Sequence, residues 1–129
     1  MATIADLVMG LQHIGIPTNS IEKTIDFFTS LGFTAIYETE NDGERVIFLK
    51  LGHMIIETYE SQQATMKHGA IDHIALNVSD INRMFSLVKE LGYHAIEEDI
   101  QTLPFFENGI SYFTIVGPNA EKVEFSQYL

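Results

Sequence analysis

The sequence predicts an α+β fold in which two tandem βαβββ modules form a curved mixed sheet. Two observations support this class. The chain contains an internal repeat, and each copy shows the same order of patterns: a short apolar strand, an amphipathic helix and three further strands. A single domain of 129 residues is expected, with module one at about residues 10–60 and module two at about residues 70–129.

The repeat becomes visible when the chain is shifted by 60 residues. His13 then aligns with His73, and the alignment continues without a gap as far as Glu38 and Glu98. The other matched positions are Ile14 with Ile74, Ile16 with Leu76, Ile21 with Ile81, "LGF" with "LGY", Ala35 with Ala95, and Ile36 with Ile96. Two such modules are expected to be related by a pseudo-twofold axis, which makes the two histidines symmetry mates.

In the first copy, an apolar strand is predicted at residues 11–17, followed by a helix that Asn19 caps with Glu22 as its capping-box partner. The helix carries apolar residues at helical spacing, which are Ile21, Ile25, Phe28 and Leu31. Gly32 ends it. Three strands are predicted next, at residues 33–40, 45–51 and 53–60, with turns at residues 41–43 and at Gly52.

The second copy repeats this plan with one longer loop. A strand is predicted at residues 71–78, and Ser79 or Asp80 caps the helix after it. The apolar positions of this helix are Ile81, Phe85, Val88 and Leu91, and Gly92 ends it. The remaining strands are predicted at residues 93–99, 111–117 and 122–128, with a loop through Pro104 and a turn at Pro118-Asn119.

Composition and charge narrow the classes of partner. The net charge is −11, from 7 basic and 18 acidic side chains, and such a surface repels nucleic acid and anionic lipid. The chain has no cysteine, so disulfides and thiolate metal sites are excluded. Its first residues do not resemble a signal peptide, and no segment is apolar enough to span a membrane. A cytoplasmic protein with a small-molecule substrate is expected.

Two histidines and two glutamates form the candidate site. Glu57 lies on the last strand of module one and Glu124 on the last strand of module two, 44 and 51 residues after His13 and His73. The longer loop between residues 99 and 110 accounts for the difference of seven. Two imidazoles and two carboxylates suit a divalent Zn, Ni, Co, Mn or Fe ion and are too rich in nitrogen for Mg or Ca.

The chain resembles the vicinal oxygen chelate superfamily, which includes glyoxalases, bleomycin resistance proteins and dioxygenases. The resemblance covers about residues 10 to 128 and rests on "HIGI", "DHIAL", "LGF" and "LGY", "IIETYE" and "GPNAEKVEF". Within the superfamily the pattern is most similar to glyoxalase I (lactoylglutathione lyase), whose metal ligands are His, Glu, His and Glu. By this resemblance the ligands are His13, Glu57, His73 and Glu124. Epimerase relatives tend to carry glutamine at the place of Glu57, and extradiol dioxygenases use only two histidines and one glutamate.

The resemblance implies a metal-dependent isomerase or lyase that acts on an α-hydroxycarbonyl or a hemithioacetal through an enediolate. Glu124 is expected to be the base, with Glu57 as its symmetry partner. The alternatives are a dioxygenase or epimerase of the same superfamily, and a non-catalytic resistance or ligand-sequestering protein. A homodimer is expected, since modules in this superfamily pair within one chain or between chains.

The substrate and its pocket are less defined. The residues after His13 read "HIGIPTNS" and lack the arginine that glyoxalase I relatives usually place there. Glutathione is therefore not favoured over another thiol adduct or a small sugar-like α-hydroxycarbonyl. Phe48, Phe106 and Tyr112 are candidates for the pocket wall, while His53, His68 and His94 have no repeat mate and are not assigned to the site.

Overall fold

The elements follow the order βαβββ twice, preceded by a short helix. The computed structural model describes residues 1–30, 32–67, 69–116 and 122–129. The elements are α1 (Ile4–Leu7), β1 (Val8–Thr18), α2 (Ile21–Ser30), β2 (Thr34–Asn41), β3 (Glu44–Leu51), β4 (Met54–Glu60), β5 (His73–Val78), α3 (Ile81–Glu90), β6 (Gln101–Leu103), β7 (Ile110–Val116) and β8 (Lys122–Tyr128).

Both modules arrange their strands in the same way. The strand order is β2-β3-β4-β1 in the first module and β5-β8-β7-β6 in the second. In each, the first strand pairs in parallel with the last, and the other neighbours are antiparallel. The predicted α+β class, with two βαβββ modules and mixed strand pairing, is confirmed.

The chain divides into two compact units, and the first consists of residues 13–72. Helix α2 lies on one face of its strands and buries the side chains of Ile21, Phe33, Ile47, Leu49 and Ile56. On β3 four consecutive residues, 46–49, are buried, so the face of this strand turned away from α2 is covered as well.

The second unit consists of residues 1–12 together with residues 73–129. Its core contains Leu7, Val78, Ile81, Met84, Val88, Phe113 and Phe125. The Gln12 amide donates hydrogen bonds to Asn77 Oδ1 at 3.0 Å and to the backbone oxygen of Ser126 at 3.2 Å. Strand β1 begins at Val8, three residues before the predicted start, and Val8 packs against this core.

Of the predicted N-terminal caps, one is found in the structure and one is not. Of the two predicted caps of α3, Ser79 and Asp80, the structure has Asp80, whose Oδ1 accepts a hydrogen bond from the Arg83 N–H at 3.0 Å. The prediction of Asn19 as the cap of α2 is wrong: the helix begins at Ile21, and the Ser20 carbonyl accepts its first bond, from the Thr24 N–H at 3.1 Å.

Glycines end both long helices with the same hydrogen bonds. Gly32 and Gly92 have φ angles of 104° and 92°. After α3, the Gly92 N–H donates to the Lys89 carbonyl and the Tyr93 N–H to the Val88 carbonyl, each at 3.0 Å. This is the Schellman arrangement, and the bonds after α2 repeat it. Leu31, predicted on α2, lies outside the described residues, as do His68 and the turn predicted at Pro118-Asn119.

The prediction of a strand at residues 93–99 is wrong. This segment forms turns and bends, and the one strand that the described residues form between α3 and β7 is the three-residue β6. A backbone hydrogen bond from the Ile96 N–H to the Thr114 carbonyl, at 2.9 Å, joins the segment to β7. The Glu97 carboxylate accepts the Thr114 N–H at 2.8 Å, so a side chain takes the place of a backbone carbonyl. Glu98 then turns the chain with a φ of 69°.

Within the described ranges, no helix has both the length and the apolar character needed to cross a membrane.

Replacing Gly92 with alanine should lower the free energy of unfolding by about 1–2 kcal/mol, because a Cβ is disfavoured at this φ. A Cβ at this position would contact no heavy atom within 4 Å, so crowding does not contribute. Urea denaturation measures the change. Gly92→Asn is the matched control, since asparagine tolerates positive φ, and it should lose less stability. Equal losses in both variants would contradict the backbone explanation.

Candidate metal centre

His13 and Glu57 form a pair within the unit of residues 13–72. Strands β1 and β4 run in parallel, and Gly15 is the register partner of Glu57. Since residues two apart on a strand share a face, the His13 side chain lies on the same face as Glu57. The His13 Nε2 atom is 3.4 Å from Glu57 Oε1, and the two side chains are only 3% and 13% exposed.

His73 and Glu124 form the corresponding pair in the other unit. Strands β5 and β8 are parallel, and Ala75 is the register partner of Glu124. The His73 Nε2 atom is 3.5 Å from Glu124 Oε1, with side-chain exposures of 9% and 12%. In both modules the glutamate therefore pairs with the residue two positions after the histidine. The additional residues between His73 and Glu124 all lie before β8, so the register between β5 and β8 matches that between β1 and β4.

The spacing within each pair fits two ligands of one ion. A charge-assisted N–H···O bond measures about 2.7–2.9 Å, which is shorter than either distance. Nitrogen and oxygen atoms that both lie about 2.0–2.2 Å from a zinc-like ion are separated by roughly 3.0–3.5 Å in octahedral or tetrahedral geometry. Each buried pair supplies one nitrogen and one oxygen at this separation, so the donor chemistry and the spacing within a pair both suit a borderline divalent metal.

Aromatic side chains border the His13–Glu57 pair. Phe48 on β3 is the register partner of Glu57 and is 2% exposed. Its ring meets the His13 imidazole edge-on, with centroids 5.7 Å apart. Tyr37 pairs with Phe48 from β2, and their ring centroids are 6.2 Å apart. The predicted pocket residue Phe48 thus lies on the face that carries the first pair and restricts the orientation of the imidazole.

Hydroxyl groups border the His73–Glu124 pair. Thr114 on β7 is the register partner of Glu124, and Tyr112 is the partner of Ser126. Alternation places the Tyr112, Thr114, Glu124 and Ser126 side chains on one face. Tyr112 was a sequence candidate, whereas Thr114 and Ser126 were missed. Counting two residues on from Glu124 along β8 would have identified Ser126.

Phe106 lies at the far end of this hydroxyl-bearing face. Its ring packs edge-on against Tyr128, with centroids 5.2 Å apart, and Tyr128 is two residues beyond Ser126 on β8. Partial burial raises the pKa of the Tyr128 phenol above its ordinary value. Phe106 has a φ of 62°, which costs energy in a residue other than glycine.

Arg45 is directed away from the face that carries the His13–Glu57 pair. Arg45 is on β3 with its side chain on the face opposite Phe48, where its guanidinium binds the carboxylates of Glu22 and Glu38. These hydrogen bonds, Glu22 first, raise the Arg45 pKa further above its usual range. Arg83 is on helix α3. Lys122, in contrast, is the register partner of His73 and shares its face.

Comparison with known proteins identifies the family. Residues 10–102 match the profile of the Glyoxalase/Bleomycin resistance protein/Dioxygenase superfamily. The uncharacterized protein YwbC of Bacillus subtilis is 30% identical over 126 residues, which cover 91% of this chain and 96% of that protein.

Two solved structures share the fold. Methylmalonyl-CoA epimerase from Mycobacterium tuberculosis superposes with a TM-score of 0.78 at 22% identity, covering 100% of this chain and 93% of that one. The Mn(II)-bound glyoxalase from Novosphingobium aromaticivorans gives 0.67 at 15% identity, covering 94% of this chain and 39% of that one. The match of the family profile to well over half of the sequence shows that this chain belongs to the Glyoxalase/Bleomycin resistance protein/Dioxygenase superfamily.

Proposed function

We propose that this protein is a metal-dependent isomerase or lyase of the glyoxalase I type, in which His13, Glu57, His73 and Glu124 together bind one divalent ion. One observation carries the proposal: two buried His–Glu pairs occur at repeat-related positions with the same strand register and nearly the same N···O distance. A coincidence of two isolated core histidines would not reproduce both the register and the spacing.

The donor set supports a Zn, Ni, Co, Mn or Fe ion. Two imidazole nitrogens and two carboxylate oxygens are typical ligands of these borderline metals, and a six-coordinate ion would keep two positions for substrate oxygens. The structural likeness to a Mn(II)-bound glyoxalase agrees with this choice. When bound, the ion would act as a Lewis acid that stabilises negative charge on two adjacent oxygens of the substrate, as in an enediolate.

The protein side chains would then move the proton. In the proposed reaction the Glu124 carboxylate removes the proton from the carbon next to the substrate carbonyl and returns it to the neighbouring carbon. Glu57 holds the symmetry-related position. Phe48, packed against the His13 ring, excludes water from the first pair, which strengthens electrostatic interactions there.

The charges around the two pairs favour a small neutral or singly charged substrate. Recognition of a carboxylate usually uses a forked guanidinium contact, and Arg45 is engaged with two glutamates on the other face. Lys122 is the cation on the strand that carries Glu124. We therefore propose a small α-hydroxycarbonyl or hemithioacetal without the two carboxylates of glutathione. The resemblance to the superfamily separately supports a homodimer as the assembled form.

Removal of one ligand should abolish tight metal binding. The protein is expected to bind one Co(II) per chain, and His13→Ala should weaken the affinity more than about 100-fold, since loss of outer-shell partners alone costs 10–100-fold. Titration followed by the Co(II) absorption bands measures this. His53→Ala is the control, because His53 is an exposed turn residue. Equal affinity in both variants would rule out His13 as a ligand.

Proton exchange tests the base. With saturating metal in heavy water, dihydroxyacetone or the hemithioacetal of methylglyoxal and mercaptoethanol should lose its α C–H signal in the NMR spectrum. Glu124→Gln should slow this exchange by about 10²–10⁴-fold, the usual contribution of a positioned general base. Glu57→Gln is the matched variant. Full exchange in Glu124→Gln with loss in Glu57→Gln would transfer the role to Glu57.

Two other outcomes would favour the alternative functions. Oxygen uptake with a catechol and Fe(II), without proton exchange, would indicate a dioxygenase. Ligand binding that survives EDTA, again without exchange, would indicate a sequestering protein.

A further inference from the structure

A cavity of about 380 Å³ opens between the C-terminal half of helix α3 and the segment of residues 93–99. This volume lies within the range of about 300–1,000 Å³ that is usual for small-molecule sites. All of its lining residues belong to the unit of residues 1–12 and 73–129, and none is a member of the two His–Glu pairs. They are Phe85 and Lys89 on α3 and His94, Ala95, Ile96 and Glu98 on the segment.

Hydrogen bonds hold the segment of residues 93–99 in its turned conformation. The Ile96 N–H donates to the Thr114 carbonyl at 2.9 Å, and the Glu97 carboxylate accepts the Thr114 N–H at 2.8 Å. The Glu98 N–H donates to the Ala95 carbonyl at 3.0 Å and closes a turn. Glu98 keeps a φ of 69°, which costs energy in a residue with a side chain. This wall of the cavity is therefore formed before any ligand binds, which lowers the cost of ordering on binding.

A cation and a carboxylate border this cavity without pairing with each other. The Lys89 ammonium lies over the Phe85 ring, 5.2 Å from its centroid. Glu98 belongs to the other wall. In the part of the chain that the structure describes, neither side chain forms an ion pair, although the sequence has 18 acidic and 7 basic side chains. The two charges can therefore serve a ligand that carries the opposite charges at two separate groups.

The corresponding positions in module one have different partners. Glu38 is the repeat mate of Glu98, and its carboxylate binds Arg45. Lys89 and His94 correspond to Thr29 and Thr34. Since module one forms the regular strand β2 at this place, the duplication of the fold does not account for the charged cavity of module two.

We propose that this cavity binds a free α-amino acid with an apolar side chain. The ligand carboxylate contacts Lys89 and the His94 imidazole, and the ligand ammonium contacts the Glu98 carboxylate. The apolar side chain of the ligand packs against Phe85 and Ile96, which is 52% exposed in the free protein. The site is separate from the proposed metal centre and does not depend on it.

An NMR titration of the His94 imidazole protons tests the proposal with three probes. L-leucine carries both charges, 4-methylpentanoate lacks the ammonium, and 3-methylbutylamine lacks the carboxylate. EDTA is present throughout, so that chelation of a metal ion cannot contribute. L-leucine should shift the His94 signals with a dissociation constant on the order of 1 mM. Each analogue should bind about 3- to 10-fold more weakly, as expected for loss of a partly exposed charged contact.

Two substitutions assign the charges. Lys89→Gln should weaken L-leucine about 3- to 10-fold without weakening 3-methylbutylamine, and Glu98→Gln should weaken it similarly without weakening 4-methylpentanoate. Lys23→Gln and Glu90→Gln are the matched controls, since both replace exposed side chains that do not line the cavity. All four variants should unfold near the temperature of the native protein, because surface substitutions change stability little.

The proposal is overturned if L-leucine does not shift the His94 signals or if all three probes bind equally. Equal binding of L-leucine and 4-methylpentanoate, with no effect of Glu98→Gln, would indicate a simple carboxylate site and would also overturn it. So would losses in the two control variants as large as those in Lys89→Gln and Glu98→Gln. None of these outcomes bears on the metal centre, which the Co(II) titration tests.

Discussion

The parallel pairing of the first and last strands of each module is the constraint on which the candidate site depends. In β1–β4 and in β5–β8, the glutamate stands opposite the residue two positions after the histidine. A shift of one residue in either register would turn the carboxylate to the helix-covered face, since side chains alternate along a strand. The apolar side chains packed under α2 and α3 fix that register, and so they also set the distance between imidazole and carboxylate.

Although the register is the same in both modules, the side chains next to the two His–Glu pairs differ. Phe48 and Tyr59 in one module correspond to Thr114 and Ser126 in the other, while the histidine and glutamate stay at the same relative positions. The duplicated framework therefore preserves the two His–Glu pairs and leaves the flanking positions free to diverge.

Sequence similarity establishes the family. The two His–Glu pairs add the particular side chains on which the proposed function depends. Members with this fold include an epimerase and a glyoxalase, so the fold alone does not decide the reaction. The features that narrow it here are the glutamate, rather than glutamine, at position 57 and the engagement of Arg45 away from the strand face. Both support the proposed metal-dependent proton transfer on a small, weakly charged substrate.

The sequence by itself determined the repeat, the strand and helix order and the glycine ends of the helices, and it limited the cap of α3 to Ser79 or Asp80, because these depend on periodicity and on local backbone preference. It also indicated His13, Glu57, His73 and Glu124 as a set. It could not foresee that residues 93–99 form turns, because the Glu97 side chain satisfies a backbone N–H that a strand would have paired. The matching registers and the opposite orientation of Arg45 were decided only by the tertiary structure, since each depends on contacts between residues far apart in the chain.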